Sequence, residues 1–442
     1  MSESVLVVGA GIAGLSSAVM ASRAGLRCEV WEASPRAGGL LEPAEFMGLP
    51  CDRGSHRVHP DACPELFELT RGATWEPRTR RGALVLGGRH LPYPLEAVSF
   101  ARALGARAVT AMGLGWALRP RRFERFRAWE RDRGARGHDE GFEDFVVARA
   151  GSVAYERFYR PYVEKVWGVD PSHLSRSVAR QRLSTASPWR SLMGALRPSS
   201  VTPTFLYPRG GVASLIDALL SDCARSNVTV RFDRAVTRDD ITSLPFDRVL
   251  FTGRISSLAP DAGLTHRGLY LVHVALPPGT LSDVDTWYVP DARYWFGRVS
   301  QPARFSPSLS TPNADVLAIE IPEGRWGEGR DFTRDLDALM SQLRDAGIVR
   351  TRSPPIDARQ TWVPGVYPMY LRGWASRWSH AMERVRAMER VLPAGRQGLF
   401  LHCNMDHAVK IARDAVEHVA KGASASEWID ACARYLDLRV RD

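Results

Sequence analysis

Lysine is nearly absent from this chain: of 59 basic residues only Lys165, Lys410 and Lys421 are lysines. The arginine bias reads as genome composition more than function. Cysteine is scarce and scattered (Cys28, Cys51, Cys63, Cys223, Cys403, Cys432), with no C-x-x-C pair. That spacing argues against a zinc ribbon or redox dithiol and predicts reduced thiols in a cytoplasmic protein, with no metal. No stretch of 18 uncharged apolar residues occurs, so no membrane span is expected; the nearest, residues 103–118, contains Arg107. An apolar strand starts at once, which predicts no secretory signal. Internal repeats, low-complexity linkers and nucleic-acid reader motifs are also missing, so no nucleic-acid partner is expected.

What is present is enough for two domains: 442 residues, 45% hydrophobic and 24% charged. The net charge of +10 favours a small anionic substrate or an acidic surface. The chain is organised around its first 39 residues. Val5-Leu6-Val7-Val8 reads as a buried parallel strand. It runs into Gly9-Ala10-Gly11-Ile12-Ala13-Gly14, a G-x-G-x-x-G, and then into a helix ending near Gly25. A second strand, Cys28-Glu29-Val30-Trp31, delivers Glu32. Gly9 permits the tight turn, Gly11 lets backbone approach a pyrophosphate beside Ala13, and Gly14 lets helix and strand pack closely. The helix N-terminus offers free N–H groups to phosphate, and Glu32 lies where a carboxylate accepts ribose hydroxyls.

After Glu32 and Ala33 comes a second glycine pair, Gly38-Gly39-Leu40. This E-x-x-x-x-x-G-G continuation resembles the superfamily of amine oxidases, protoporphyrinogen oxidases and UDP-galactopyranose mutases. The resemblance implies FAD, with the second glycine pair passing close to the pyrophosphate. It implies an α/β fold: a Rossmann-like FAD-binding domain with a mixed sheet and helices, plus a discontinuous α+β substrate domain. The expected division puts residues 1–94, 205–255 and 393–442 in the first. Residues 95–204 and 256–392, with an Arg-rich helical insertion, form the second.

Further blocks carry the resemblance along nearly the full length. Asp52, Gly54, His56 and His59 form a D-x-G-x-H-x-x-H. It resembles the loop under the flavin, where Gly54 and Ser55 present backbone to the ring. His56 or His59 then faces the reacting centre and shuttles a proton near neutrality, or both simply hold the loop. Phe158, Pro161, Tyr162, Lys165, Trp167, Gly168, Pro171, Leu174 and Ser175 match a segment that caps the substrate cleft. Trp167 then lays its indole on a ring, and Arg182 or Arg180 binds substrate; otherwise they are core and surface residues. Val236 is expected on a strand beside the adenine. Thr252-Gly253 resembles the turn that closes over the cofactor. Arg298, in Tyr294-Trp295-Phe296-Gly297-Arg298, resembles an arginine reaching flavin and substrate; a guanidinium suits phosphate or carboxylate. Tyr367 resembles a tyrosine whose hydroxyl meets a diphosphate.

Residues 395–400 are expected as a strand carrying Arg396. His402 follows as a candidate substrate contact. Asn404-Met405-Asp406-His407 then opens a helix over 408–420 and resembles the last flavin-binding element. N–H groups at Met405 and Asp406 face the flavin, with Arg396 adding positive charge.

Two chemistries remain open, beside a flavin- or nucleotide-holding protein without catalysis. The first is hydride transfer from a small organic substrate to the flavin. The second is non-redox mutation of a nucleotide sugar by reduced flavin. Leu401-His402-Cys403-Asn404 stands where mutases carry a tyrosine-rich string, which favours the first. The flavin-facing lysine of amine oxidases has no match, since residues 269–276 offer only His273, a proton acceptor or a core histidine. The arginines from Arg119 to Arg136 form either a solvated face or a peripheral membrane contact. A monomer or homodimer is expected.

Overall fold

The computed structural model describes residues 3–93, 102, 105–118, 141–182, 204–326, 332–438 and 440. The arginines between 119 and 136, expected in the helical insertion, lie outside the described residues; the preceding helix is Ala106–Ala117.

The first sheet grows from apolar runs. Val5, Leu6 and Val7 of β1 (Ser4–Val8) are fully buried, as both faces of a parallel sheet demand. Gly9 then turns the chain into α1 (Ile12–Arg23), and β2 (Arg27–Trp31) returns parallel to β1. The chain next leaves for the other sheet, forming β3 (Gly82–Leu86) and β4 (Arg89–Tyr93), then the short helix α2 (Arg160–Trp167). It comes back through α3 (Ala213–Arg225), β5 (Thr229–Arg231) and β6 (Arg248–Phe251). A second excursion makes β7 (His266–Leu276), β8 (Thr286–Tyr288), β9 (Arg298–Ser300) and β10 (Asp315–Pro322). Helix α4 (Phe332–Asp345) and β11 (Asp357–Pro368) complete it. The last return gives β12 (Val391–Pro393) and α5 (Met405–Ala420).

The two large sheets are built separately. The first runs β12-β6-β1-β2-β5 and is parallel throughout. The mixed sheet is therefore the other one, β11-β7-β10-β9-β8-β3-β4, with a single parallel pairing, β3 to β8. Strands β3 and β4 fall within the segment 1–94 yet extend the seven-stranded sheet. Arg89–Tyr93, at the end of that segment, is an edge strand of this sheet.

Position along β7 decides which side a residue serves. Val272, Val274 and Leu276 pack in one core with Leu339, Met340 and Leu343 of α4. Leu269, Leu271, His273 and Ala275 alternate onto the opposite face. His273 is fully buried there, stacked 5.8 Å from Phe46, with burial pushing its pKa down to about 4. It is a core histidine.

Two details correct the sequence reading. Residues 395–398 form a short helix, not a strand; the strand is the apolar Val391–Pro393 just before it. Gly395, at φ +72, turns the chain because an added Cβ would fall 2.7 Å from Ala13 Cβ of α1. Val236 lies beyond β5 in irregular backbone, half-buried against the first core, so no ladder holds it.

Lys165 ties the two parts together. It is fully buried on α2, and its ammonium donates to the carbonyls of Val289, Asp291 and Phe296, just ahead of β9. Burial pushes it down to about 7.

Candidate active site

Two glycine turns meet at the N-terminus of α1. Gly38 donates its N–H to Ala10 O at 2.9 Å, and a Cβ on Gly39 would lie 3.4 Å from Gly11 Cα. A Cβ on Gly14 would sit 1.8 Å from the Gly9 carbonyl oxygen, and one on Gly9 2.6 Å from Thr252 Oγ1. Thr252 in turn donates to Val8 O at 2.8 Å, and Gly253 follows it. Gly38 (φ +121) is hemmed in by Glu42, so side chains are shut out on both turns. The N-terminus of α1 has neither a side-chain cap nor an acid in its first turn. Its N–H groups could receive an anion such as a pyrophosphate.

Glu32 stands beside this turn at the end of β2, followed by Ala33. Its carboxylate accepts from Ala10 N (2.6 Å) and from Ser34 N (2.9 Å), which fixes both oxygens at the glycine-rich loop. Leu40 packs by the same loop against the cluster containing Leu269 and Leu271, linking it to the second sheet.

The loop 52–59 is anchored from below. Asp52 is buried and accepts from Tyr207 Oη and from Val212 N (3.1 Å), ahead of α3. Burial lifts its pKa to about 6, with the Tyr207 and Val212 bonds opposing. Gly54 at φ +127 then turns the chain, leaving Ser55 Oγ and His56 Nε2 enclosed without a hydrogen-bond partner among the described residues. His59 caps its own turn by accepting from Asp61 N at 3.0 Å, so it serves the loop. His56 does not titrate near neutrality. Burial, then the Arg298 and Arg396 guanidiniums, push it down to about 4, so the imidazole is neutral at pH 7.

A cross-strand row completes the site. Tyr288 on β8, Arg298 on β9 and Glu320 on β10 are register partners and share one face. Arg298 gives two hydrogen bonds of 2.8 Å to Glu320, a bidentate pair. Burial opposes its charge, but Glu320, Tyr367 and Tyr288 more than offset this and hold Arg298 well above the ordinary range. A Cβ on Gly54 would lie 3.3 Å from Glu320 Oε1, 3.8 Å from His56 Nε2 and 3.9 Å from Arg298 Nη2. The structure therefore brings Gly54, His56 and Arg298 together, and adds Glu320.

The aromatic side of the cleft also assembles. Trp167 meets Tyr367 edge-on at 5.8 Å and His402 at 5.3 Å. Trp167 and His402 are 2% and 1% exposed, so the indole backs Tyr367 from the core instead of lying open as a platform. Tyr367 is half-buried at the end of β11. Arg396 donates to the carbonyls of Cys403 (2.7 Å) and Val366 (2.9 Å), bracing this corner. Arg182 ends the helix Arg176–Arg182, and its side chain lies outside the described residues.

At α5, Asn404 and His407 form a reciprocal cap. Asp406 turns away to accept from Cys63 N at 3.0 Å, leaving the N–H groups of Met405 and Asp406 at the helix mouth. Cys63, Asp406 and His407 approach within 4.8 Å of one another. The backbone bonds to Asp406 and His407 account for this cluster as a clamp between helix ends.

A sequence profile described as flavin containing amine oxidoreductase matches residues 12–240, just over half of the chain. The chain belongs to this family. Membership implies a flavin, and the residues fit one. The glycine turns exclude side chains, α1 has an uncapped N-terminus, and Ser55 and His56 carry enclosed polar atoms without partners. Among curated relatives, chloroplastic protoporphyrinogen oxidase of Nicotiana tabacum is 29% identical over 184 residues, 39% of this chain. The match spans 31% of that relative, about a third of its length. Among solved structures, reduced UDP-galactopyranose mutase aligns over 100% of both chains with TM-score 0.81 and 17% identity. Cyclohexylamine oxidase from Brevibacterium oxydans covers 96% of this chain and 99% of its own, with TM-score 0.64 and 15% identity. These likenesses establish the flavoprotein fold. No helix among the described residues is long and apolar enough to cross a membrane.

Sequence reasoning missed Glu320. Its signal was present: one acid in the apolar alternation of residues 316–321.

Proposed function

We propose that this flavin amine oxidoreductase family member is an FAD-dependent oxidoreductase that removes a hydride from a carbon of a small organic substrate. When bound, the flavin supplies the hydride acceptor. Glu32 would hold its ribose and the N-terminus of α1 its pyrophosphate. Amides of Met405 and Asp406 would favour negative charge at the ring edge. His56, a neutral imidazole, has an enclosed Nε2 that would accept a hydrogen bond at the reacting centre. Arg298, locked by Glu320, positions the substrate at this centre.

The Arg298–Glu320 pair carries the reading. A mutase must hold a diphosphate that leaves and returns, and Arg298 would be its cation. Here that guanidinium is already neutralised by a carboxylate at 2.8 Å. The second reading, a nucleotide-sugar pyranose/furanose mutase, draws on the full-length likeness to the mutase structure and on the Trp167–Tyr367–His402 cluster. In our reading the protein works in the cytoplasm as a monomer or homodimer on a small anionic molecule. A flavin absorbance titration with UDP, on oxidised and dithionite-reduced protein, separates the two. No response in either state, with anaerobic bleaching by a small organic acid, supports the oxidoreductase. Micromolar perturbation that is stronger in the reduced protein overturns it in favour of the mutase.

A further inference from the structure

Three arginines around the cleft are neutralised. Arg298 pairs with Glu320, Arg57 with Asp285 (3.3 Å), and Arg53 with Glu42 (3.1 Å). Arg80 differs: among the described residues no carboxylate lies within ion-pair distance of it. Its Nη2 donates to the Tyr288 hydroxyl at 3.0 Å, and its guanidinium lies over the Tyr93 ring, 5.1 Å from the centroid. Its Nε is enclosed and has no acceptor among the described residues.

Tyr288 sharpens the point. Its hydroxyl accepts from Arg57 Nη2 at 2.6 Å and from Arg80 Nη2 at 3.0 Å. A phenol has two acceptor positions and one donor. With both acceptor positions taken by guanidiniums, the O–H must donate elsewhere, and no described residue receives it. Among the described residues Arg80 Nε–H and Tyr288 O–H therefore have no acceptor, and the two side chains meet through the 3.0 Å bond from Arg80 Nη2 to the hydroxyl. Tyr288 is also the register partner of Arg298, so this corner adjoins the proposed reacting centre. The Tyr93 and Tyr288 rings, 4.5 Å apart, wall it.

We propose that Arg80 and Tyr288 form an anion subsite that takes the carboxylate or phosphate group of the substrate, with Arg298 at the reacting end. The proposal rests on the oxidoreductase reading and names its substrate class: a small organic acid or phosphate ester whose anionic group sits apart from the carbon oxidised. Charge-assisted donation by a guanidinium and a phenol suits either anion.

The test is calorimetric titration of the holoprotein at low salt with inorganic pyrophosphate and, separately, with glutarate. The expected result is saturable one-to-one binding of at least one probe. Pyrophosphate binding tighter indicates a phosphate ligand, and glutarate tighter a carboxylate. Arg80→Met should weaken the preferred probe at least tenfold. Tyr288→Phe, which keeps the ring, should weaken it severalfold. Arg225→Met, at the exposed end of α3, removes the same charge and should leave binding unchanged. Equal binding by wild type and Arg80→Met, or no binding of either probe to wild type, overturns the subsite. Flavin content, read by absorbance on the same samples, reports separately on the FAD reading, so the two failures are distinguishable.

Discussion

Glu320 grips Arg298 through two parallel hydrogen bonds of 2.8 Å, made possible because the two residues face each other across β9 and β10. The Glu320 side chain is 9% exposed and that of Arg298 28%. Removing one member strands the other charge in a poorly solvated place. Glu320→Ala should destabilise the holoprotein by about 2–3 kcal/mol, less than for a fully buried pair because Arg298 keeps some solvent. Arg298→Met combined with Glu320→Leu should recover much of that loss. Urea denaturation of the single and double variants checks both numbers. Additive losses would show that the pair is not coupled.

The glycine turns make a prediction that separates space from sequence. Gly14→Ala places a methyl 1.8 Å from the Gly9 carbonyl, which only a shift of α1 against the turn can relieve. It should abolish flavin retention. Gly72→Ala meets nothing within 4 Å and should be silent. Absorbance of the purified variants reads the outcome, and flavin-replete Gly14→Ala protein would contradict the packing account.

Asp52 gives a pH signature. Its pKa is near 6 when folded and near 3.8 when exposed, so folding favours the protonated form. The stabilisation this confers is complete below about pH 3.8 and is lost as pH rises through about 6. At about 1.4 kcal/mol per pH unit, the loss is on the order of 3 kcal/mol. Asp52→Asn keeps an acceptor for Tyr207 and Val212 without the charge. Its stability relative to wild type should therefore rise between pH 4 and 7, as followed by melting temperature. A pH-independent difference would mean Asp52 stays ionised.

The N-terminal half of the site was legible because its contacts are local. Gly9, Gly11, Gly14 and Glu32 fall within one strand–helix–strand unit, where spacing dictates geometry. The Arg298–Glu320 pairing was not: the lone acid in residues 316–321 is visible, but its partner is set by strand register between residues 22 apart. Arg80 and Tyr288 are hidden for the same reason, being 208 residues apart in sequence. The sequence suggests that His56 titrates near neutrality, whereas in the structure its pKa falls to about 4. Its neutrality comes from Arg298 and Arg396 as well as from burial, and those neighbours are set by tertiary packing. The strand expected over 395–400 lies just upstream, at Val391–Pro393, and residues 395–398 turn as a short helix after Ala394.

The most direct test of the central claim is to identify what the protein releases on denaturation. Purified protein, reconstituted with excess FAD and dialysed, is denatured, and the supernatant is analysed by chromatography and mass spectrometry. The account predicts FAD at one equivalent per chain, with Glu32→Ala losing it during the same dialysis. Retention of FMN alone, no flavin at all, or full occupancy in Glu32→Ala would contradict it.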